Sequence, residues 1–526
     1  MASKGAQLPD IAGAMIESTA AADWLVVAPV ALPLLAGALL VMLRRQLAMQ
    51  AWVANFVLFA NLIACGALAW RVAVEGPLAM TMGRWLPPFG ISFAADLTGV
   101  ILTATAALVA LACGIYATSD IDGTRSRYGF YPFFLLMIAG VNGAFLTGDV
   151  FNLYVWFEVL LIASFGLIVL GSEPAQLDGA LKYAFLNLVA TTLFLIATGY
   201  VYGTFGTLNM ADLTLKIAEA PDNAPVTTIA ALYLMAFAMK AAAFPLNFWL
   251  PASYHTPRIV VSAVFAGLLT KVGVYALLRI VVMLFAGERG QFAEWIAWIA
   301  FATMILGVMG ALAQNDIRRL IAFLVISGIG AMLAGAALAG PYALPGAIVY
   351  AAHSMIVMAG LFLAAGVVGK RAGTFDLRAL GGFYAASPWF AACFLIFCFS
   401  VAGLPPLSGF WPKVMLVKGA LLPGAWWLAA AILVSALLTS MAAIRVWLFA
   451  FWRGGPEGTR DGAEAWRIEP YSGSGRLASG ASIAILLVAT VLLGVFPETL
   501  IRLSGEAAAG LTSPQGYVDA VFGGPQ

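Results

Sequence analysis

The sequence predicts an all-α polytopic membrane protein with about fourteen transmembrane helices and two inverted repeats, each with a broken helix. Three observations support this fold class: the composition is apolar, apolar runs of membrane-spanning length recur along the chain, and a proline-broken run occurs in each half. Hydrophobic residues make up 63% of the 526 residues and charged residues only 10%. A soluble domain averages about 45–50% apolar and about 25% charged residues. Lipid must therefore solvate much of this chain.

Apolar runs of about 20 residues, the length that a helix needs to cross the hydrocarbon core, occur along the whole chain. The predicted spans lie near residues 24–43, 50–70, 97–117, 129–147, 150–171, 178–202, 227–250, 259–285, 292–312, 320–339, 344–368, 386–422, 425–452 and 480–502. The run 386–422 is too long for one straight span and contains Pro405 and Pro406, which predict a broken helix. A short extramembrane hairpin is predicted near 71–95, where apolar positions alternate.

The predicted spans divide the chain into four parts. Residues 1–128 hold helices 1–3 and the hairpin, 129–285 the first repeat with helices 4–8, 292–452 the second repeat with helices 9–13, and 453–526 a cytoplasmic loop, helix 14 and an outward tail. Lys and Arg concentrate in alternate connections, which the positive-inside rule assigns to the cytoplasm. We therefore expect a multi-pass protein of the cell (inner) membrane with both termini outward, in the periplasm. The N-terminus lacks the features of a cleaved signal peptide, so we expect its first span to be retained.

Two segments repeat one pattern of proline and aromatic residues. Residues 245–251 read Pro-Leu-Asn-Phe-Trp-Leu-Pro, residues 406–412 read Pro-Leu-Ser-Gly-Phe-Trp-Pro, and each segment lies near a lysine. Pro245 and Pro406 each remove a backbone hydrogen bond and break a helix. The breaks lie in the seventh and twelfth predicted spans, and an odd offset turns one unit upside down relative to the other, as in ion-coupled transporters. The alternative is chance, because membrane helices often carry Pro near Trp.

The residue types exclude several classes of function. All four cysteines lie in apolar runs with no CxxC pair or Cys/His cluster, so zinc and iron–sulfur centres have no ligands. There is no dinucleotide fingerprint, no haem motif and no basic stripe that would bind nucleic acid. We expect no cofactor, no metal, no nucleic-acid partner and no redox chemistry in this chain itself.

Ionisable side chains deep in the apolar runs are the candidate functional residues. A charge near the bilayer centre costs at least ~2.5–3.5 kcal/mol, so such residues are functional candidates by default. The five candidates are Glu158, Lys240, Lys271, His353 and Lys413. Joined by water, these side chains can form a relay that moves protons across the membrane.

Glu158 and Lys240 are the first pair of this candidate relay. Glu158 lies roughly 13 Å along its helix from Asp149 at the span edge, near the membrane midplane. Lys240 precedes the break at Pro245 by five residues. Burial opposes the charge of an amine and a nearby carboxylate supports it, so a lysine held between the two effects can load and release a proton. The alternative is a purely structural buried ion pair.

The other three candidates have structural alternatives of their own. Lys271 and Lys413 either relay protons, or snorkel and cap a broken helix. His353 is either a relay group or a core histidine bonded to a backbone carbonyl. The sequence alone leaves these alternatives open.

Five further charged or ionisable residues lie nearer the span ends. Lys182, close to the cytoplasmic end of the sixth span, is either a membrane anchor or a proton-uptake site. His255, in a cytoplasmic turn, is either an auxiliary proton-uptake group or part of a capped turn. Arg279, Lys418 and Arg445 lie where snorkelling to the membrane surface explains them.

Five segments, with matching order and spacing, carry a family resemblance: residues 140–158, 238–257, 261–271, 315–320 and 403–410. Through them the chain resembles the antiporter-like subunits shared by Mrp-type cation/proton antiporters and respiratory complex I. The resemblance implies about fourteen helices with two inverted five-helix units. It also implies that Glu158 and Lys240 form the charged pair of the first unit. Lys271 and His353 would form the central relay, and Lys413 would be the terminal lysine of the second unit.

Details of the resemblance favour one branch of this family. The M-type subunit of complex I generally has a glutamate where Lys413 stands, whereas its L-type subunit and the antiporter A subunit continue far beyond their last span. Residues 142–158 and 253–271 look most like the antiporter D subunit. We therefore expect a proton-translocating subunit of a multisubunit Na⁺/H⁺ antiporter, a secondary transporter and not an enzyme, that works with the other subunits of a hetero-oligomeric complex.

Other functions stay open from the sequence alone. The main alternative is a proton-pumping antiporter-like subunit of respiratory complex I or of a membrane-bound hydrogenase, in which electron transfer elsewhere drives the protons. A partner in a bicarbonate- or CO₂-hydrating complex and a scaffold that transports nothing are the others. A sodium site needs several oxygen ligands, and apart from Glu158 the midplane has few carboxylates. We therefore expect this chain to conduct H⁺ and a partner subunit to move Na⁺.

Overall fold

A computed structural model describes residues 20–456, 468 and 474–523 of the chain. The predicted outward N-terminal tail before residue 20 and most of the predicted cytoplasmic loop 453–479 lie outside the described residues. The rest is almost entirely helical, with a single two-stranded sheet in the described part of the chain.

Helices account for nearly all of the described secondary structure. In chain order they are α1 (Trp24–Met42), α2 (Leu47–Glu75), α3 (Leu97–Asp120), α4 (Gly123–Arg127), α5 (Phe130–Leu146), α6 (Val150–Val169), α7 (Pro174–Phe205), α8 (Met210–Ala218), α9 (Val226–Ala241), α10 (Trp249–Ser253), α11 (Ile259–Leu284), α12 (Ala286–Ala313), α13 (Ile317–Leu338), α14 (Ala343–Ala372), α15 (Phe383–Ala386), α16 (Pro388–Ala402), α17 (Phe410–Leu421), α18 (Trp426–Trp452), α19 (Ser474–Val495), α20 (Glu498–Thr512) and α21 (Gln515–Phe522). Single 3₁₀ turns occur at Ala21–Asp23, Met82–Arg84 and Leu377–Ala379.

Eleven helices of the described chain are long and apolar enough to cross a membrane. Three shorter apolar helices, α5, α9 and α16, accompany them. The prediction of a mostly helical membrane protein is therefore confirmed. The last predicted span, 480–502, is placed too late, because α19 ends at Val495 and Pro497 separates it from α20. A proline disfavours helical backbone at the residue before it, which explains the interruption.

Side-chain caps fix where several helices begin. Asp96, Asp149 and Asp316 accept hydrogen bonds from backbone N–H groups in the first turns of α3, α6 and α13. These N–H groups have no partner within their own helix, so an acidic cap satisfies them and also opposes the positive end of the helix dipole. The caps place three carboxylates at the ends of membrane-length helices.

Two helix breaks follow from their local sequences. Helix α9 ends at Ala241, Ala242 adopts a left-handed backbone at φ 59°, and Pro245 comes three residues later. Helix α16 ends at Ala402, followed by Gly403 at φ 87° and by Pro405 and Pro406. A left-handed residue terminates a helix, and proline prevents its continuation. The chain resumes a helical course at α10 and α17 respectively.

The interior of the bundle is built around α11 and α14. The most apolar stretch of each is entirely buried, whereas only a third of that stretch is buried in α2 and in α19. Helix α14 packs against α3, α11, α13, α16, α17, α19 and α20. A helix that is apolar all round can occupy either the interior or a lipid-facing position, so contacts and not periodicity distinguish the two.

A short hairpin marks one end of the bundle, which we call the hairpin end. Strand β1 (Leu78–Thr81) pairs antiparallel with β2 (Ser92–Ala95), where the sequence predicts a hairpin. The hairpin contacts α21, and α21 contacts α8. The opposite end, which we call the arginine end, joins Asp122 to Arg258 and Arg125 in ion pairs.

Candidate functional site

Lys240 lies in the last turn of α9, immediately before the first helix break. Its side chain is buried, and its Nζ has no hydrogen-bond partner. The amine sits 5.3 Å from the ring centroid of Phe157, a cation–π distance. A cavity of about 10 Å³ beside it is lined by Tyr183, Asn187 and Trp249 among others, which is about the room that one water molecule needs. The first break therefore leaves an amine that no protein acceptor holds.

Glu158 lies next to Phe157 on α6, and it forms no ion pair with Lys240. The amine has no partner, and no nitrogen–oxygen distance between the two side chains is within 4.0 Å. The carboxylate is nevertheless near enough for its charge to act on the amine. Glu158 is only partly buried, on the face of α6 that also exposes Val155 and Ile162. The two residues are thus neighbours without direct contact.

Lys271 is fully buried on α11, and its Nζ donates a 2.6 Å hydrogen bond to the carbonyl oxygen of Ala266. The backbone from Phe265 to Leu269 is a π-helical turn, which widens the helix and is frequent at functional sites. A Cβ on Gly273 would lie 2.7 Å from the backbone nitrogen of Ala241. The absence of a side chain at that position lets the helix of Lys271 pack directly on the end of the helix of Lys240.

His353 is buried in the middle of α14. Its Nδ1 lies 2.9 Å from the hydroxyl of Ser408, and that hydroxyl lies 2.9 Å from the hydroxyl of Ser400. Its Nε2 has no partner. A Cβ on Gly409 would come within 1.9 Å of the Ser400 carbonyl oxygen and 3.0 Å of Cε1 of His353. Glycine therefore allows the segment of the second break to close against the imidazole.

Lys413 lies in the first turn of α17, just past the second break. Its Nζ donates to the carbonyl oxygens of Val401 and Ala402, at 3.0 and 2.6 Å. These carbonyls belong to the last turn of α16, whose groups lack partners within the helix. A Cβ on Gly403 would lie 2.6 Å from Cδ of Lys413. Lys413 thus caps the broken helix, as its structural alternative proposes.

The central three candidates are grouped around His353. Lys271 and Lys413 both lie near enough for their charges to act on the imidazole. Lys240 joins this group through the contact of α9 with α11 at Gly273. Glu158 stands at the edge of the group, next to Phe157 in the chain and only partly buried.

Lys182 and His255 lie apart from this buried group. Lys182 is exposed and pairs with Asp178 one turn earlier on α7 at 2.6 Å, an arrangement that contributes little to stability at a surface. The Nδ1 of His255 lies 2.9 Å from the carbonyl oxygen of Pro251, and its Nε2 lies 3.1 Å from Nη2 of Arg319. Arginine can only donate, so Nε2 accepts and Nδ1 carries the proton.

The surroundings of His255 oppose its protonation. Partial burial, reinforced by the charge of Arg319, lowers the pKa of His255 to about 4. The imidazole is therefore neutral near pH 7. This environment favours the capped-turn alternative over a proton-uptake role.

Sequence reasoning missed a buried ion pair and misjudged Arg279. Arg279 is 1% exposed, so the prediction that it snorkels is wrong. Its Nη2 lies 2.6 Å from Oδ1 of Asp96, which is 6% exposed and caps α3. Arg445 does not simply snorkel either, since it donates to the Leu312 carbonyl and, at 2.6 Å, to Oδ1 of Asn315. Ion-pair partners so distant in sequence leave no local pattern.

Lys418 stacks on an aromatic ring. Its Nζ lies 3.7 Å from the ring centroid of Tyr342.

Within the described residues, no group of three or more His, Cys, Asp or Glu side chains is arranged to hold a metal ion.

Residues 147–439 match the family described as NADH:quinone oxidoreductase/Mrp antiporter, TM. The chain is 39% identical to the D subunit of the Na⁺/H⁺ antiporter of Alkalihalophilus pseudofirmus, over 95% of this chain and 99% of the relative. It is 36% identical to the D subunit of the Na⁺/H⁺ antiporter of Bacillus subtilis, over 94% of this chain and 99% of the relative. A chain in the structure of the Mrp complex from Dietzia sp. superposes with a TM-score of 0.86 at 32% identity, covering 95% of this chain and 99% of that one.

Proposed function

The chain belongs to the family of Na⁺/H⁺ antiporter D subunits, and from this premise we propose that it carries protons through Glu158, Lys240, Lys271, His353 and Lys413. It is a subunit of a multisubunit cation/proton antiporter. The complex I and hydrogenase alternatives are not favoured, because relatives matched over nearly their whole length are named antiporter subunits.

The observation that carries the proposed pathway is the unpartnered amine of Lys240. A buried amine without an acceptor costs free energy in the folded state. A role in gaining and releasing a proton explains why the amine is retained despite that cost. The neighbouring cavity and the nearby Glu158 carboxylate supply a water-sized space and a charge that responds to the protonation state of the amine.

The second half of the pathway runs from Lys271 through His353 to Lys413. The unpartnered Nε2 of His353 supports a transfer role, since no protein group engages that nitrogen and it can accept or donate a proton. The hydroxyl of Ser408 holds the ring on the Nδ1 side. Capping and transport are compatible in Lys413, because its carbonyl partners orient the ammonium without taking its proton.

The same proposal includes an inverted-repeat architecture of about fourteen spans. The eleven long helices and three shorter ones support that number. The broken segments α9–α10 and α16–α17, each with a lysine beside the break, support a relation between residues 129–285 and 292–452. Residues 1–128 and 453–526 then flank the two repeats.

Orientation and partners complete the proposal. We place the arginine end in the cytoplasm, because the positive-inside rule puts Lys and Arg there, and the hairpin end with both termini outside, in the periplasm. Glu158 shares its partly exposed face of α6 with Val155 and Ile162. A carboxylate on an apolar face at membrane depth needs a protein cover, which a neighbouring subunit of the complex provides. Sodium moves through a partner and not through this chain.

A pair of substitutions tests the pathway. In the complete complex, Lys240→Ala and Glu158→Gln should each strongly reduce Na⁺-dependent H⁺ exchange in everted vesicles. Lys240→Met should also abolish exchange, yet it should fold at least as well as the wild type, because it removes an unsatisfied buried amine. Full exchange by Lys240→Met would refute the pathway. Sodium exchange by this chain without its partners would refute the division of labour.

A further inference from the structure

A polar stripe on α11 leads away from Lys271 toward the hairpin end. Lys271, Tyr275 and Arg279 are spaced four residues apart and therefore share one face of the helix. All three side chains are buried. The stripe is thus a line of polar groups that runs from a proposed proton carrier toward one surface of the protein.

The stripe ends next to a cavity of about 530 Å³ at the hairpin end. Met283, Asp222 and Glu288 belong to its wall. The Sδ of Met283 lies 3.2 Å from Nη1 of Arg279, so one side chain separates the guanidinium from the cavity. Carboxylates at a cavity wall raise the local concentration of protons and cations. An unobstructed stripe would therefore connect these ions with Lys271.

Tyr275 is locked and cannot pass a proton along the stripe. Its hydroxyl donates to the carbonyl oxygen of Phe145 at 2.8 Å. It accepts from Nε and Nη2 of Arg279 at 3.3 and 3.0 Å. The Phe145 carbonyl accepts the only proton of the Tyr275 hydroxyl. The lone pairs of the same hydroxyl oxygen face the Arg279 guanidinium, which does not release a proton at any physiological pH.

Arg279 places a permanent positive charge across the stripe. Asp96 holds its Nη2 at 2.6 Å and is itself fixed by the backbone N–H of Gly99 at 2.9 Å. The ring of Tyr517, on α21, covers the guanidinium at 5.1 Å. A guanidinium at a constriction raises an electrostatic barrier to protons and cations.

We propose that Arg279, held by Asp96 and Tyr275, is an electrostatic seal that stops protons from leaking between Lys271 and the cavity at the hairpin end. The inference rests on the proposed function in taking Lys271 as a proton carrier. The seal makes transport depend on the partner subunits, because it closes a direct route from the relay to one side of the membrane. A simple structural ion pair would have no such effect on proton flux.

Passive proton flux through the complete complex tests the seal. The complex is reconstituted in vesicles that enclose a pH-sensitive dye, without Na⁺, and a K⁺ diffusion potential drives protons. Arg279→Gln removes the charge, Arg279→Lys keeps it, and Asp96→Asn breaks the ion pair while the positive charge remains. The double variant Asp96→Asn with Arg279→Gln keeps a polar, uncharged pair in case the single glutamine variant does not fold.

The expected proton fluxes distinguish loss of the Arg279 charge from loss of the ion pair with Asp96. Flux should rise about tenfold in Arg279→Gln and in the double variant, which corresponds to about 1.4 kcal/mol removed from the barrier. Asp96→Asn leaves the positive charge without its counterion and should leak no more than the wild type, and Arg279→Lys should stay near the wild-type flux. Equal proton fluxes in Asp96→Asn and Arg279→Gln would overturn the proposal. So would a wild-type flux in both Arg279→Gln and the double variant, which lack the positive charge.

A further variant tests the route of the leak. Adding Lys271→Met to Arg279→Gln should return the flux to the wild-type level, whereas a persistent leak would show that the protons do not pass through Lys271 and would overturn the assignment. Sodium-driven exchange by Lys240→Met in the same vesicles reports on the proposed function separately. A failed seal leaves that measurement unaffected.

Discussion

The Nζ of Lys413 lies 2.6 Å from the carbonyl oxygen of Ala402, across the break between α16 and α17. One side chain therefore joins two helix segments that proline and glycine have separated. Lys240, beside the other break, has no comparable partner. The same residue type thus holds the chain together at one break and is left without an acceptor at the other.

Lys413→Met should lower both stability and exchange. Hydrogen bonds that involve a charged group contribute about 1.5–3 kcal/mol, and two carbonyls would lose their donor. We expect a loss of that order in the unfolding free energy, measured by thermal unfolding of the purified complex, together with loss of Na⁺-dependent H⁺ exchange.

Lys418→Met on the same helix is the matched control for Lys413→Met. Its amine makes a cation–π contact with Tyr342 instead of joining two helices, so the loss should stay below about 1 kcal/mol and exchange should continue. Equal effects of the two substitutions would contradict the role of Lys413 at the break.

Gly409→Ala should disrupt the second break. An added Cβ would lie 1.9 Å from the carbonyl oxygen of Ser400 and 3.0 Å from the His353 ring, and overpacking of this kind costs about 1–3 kcal/mol. Exchange and thermal stability of the complex should both fall. The control is Gly199→Ala on α7, where an added Cβ meets nothing within 4 Å. A fully active, fully stable Gly409→Ala complex would count against the closeness of this packing.

His255→Gln should make the protein less sensitive to acid. Burial and Arg319 lower the pKa of His255 to about 4 in the folded state, compared with about 6.5 in an unfolded chain. Between these values the unfolded state binds more protons, so wild-type stability falls as the pH drops through this window. Over this pH window the unfolding free energy of His255→Gln should fall by about 1 kcal/mol less than that of the wild type. This value is reduced because the imidazole is partly exposed.

Thermal unfolding of the complex at several pH values measures this difference. Above about pH 6.5, the pH profile of exchange should be the same in the wild type and in His255→Gln, because the imidazole is already neutral there. A shifted profile would restore His255 as a proton-uptake group. Arg319→Gln removes the neighbouring cation, so this variant should also be less sensitive to acid than the wild type.

The sequence predicts what depends on local chemistry. The breaks after α9 and α16 follow from Pro245 and from Pro405–Pro406, because proline acts on its own helix. The membrane depth of Glu158 stays a prediction, made by a count along its apolar run. The position of Glu158 around α6 does not follow from the sequence, because every face of such a helix is apolar and periodicity cannot distinguish interior from surface.

Long-range pairs are the other limit of sequence reasoning. Asp96 and Arg279 meet only after the chain between them has folded, and nothing local distinguishes Arg279 from a snorkelling arginine. The four-residue spacing of Lys271, Tyr275 and Arg279 is the one signal that the sequence carries. It indicates a polar face on a helix that is otherwise buried among apolar neighbours.

The ring that covers Arg279 comes from α21, at the very end of the described chain. This short helix follows the eleven long apolar helices of the described chain and is too short to cross a membrane itself. Removing it would leave those helices intact and the guanidinium uncovered. The watertightness of the subunit therefore depends on a segment that lies outside its membrane-length helices.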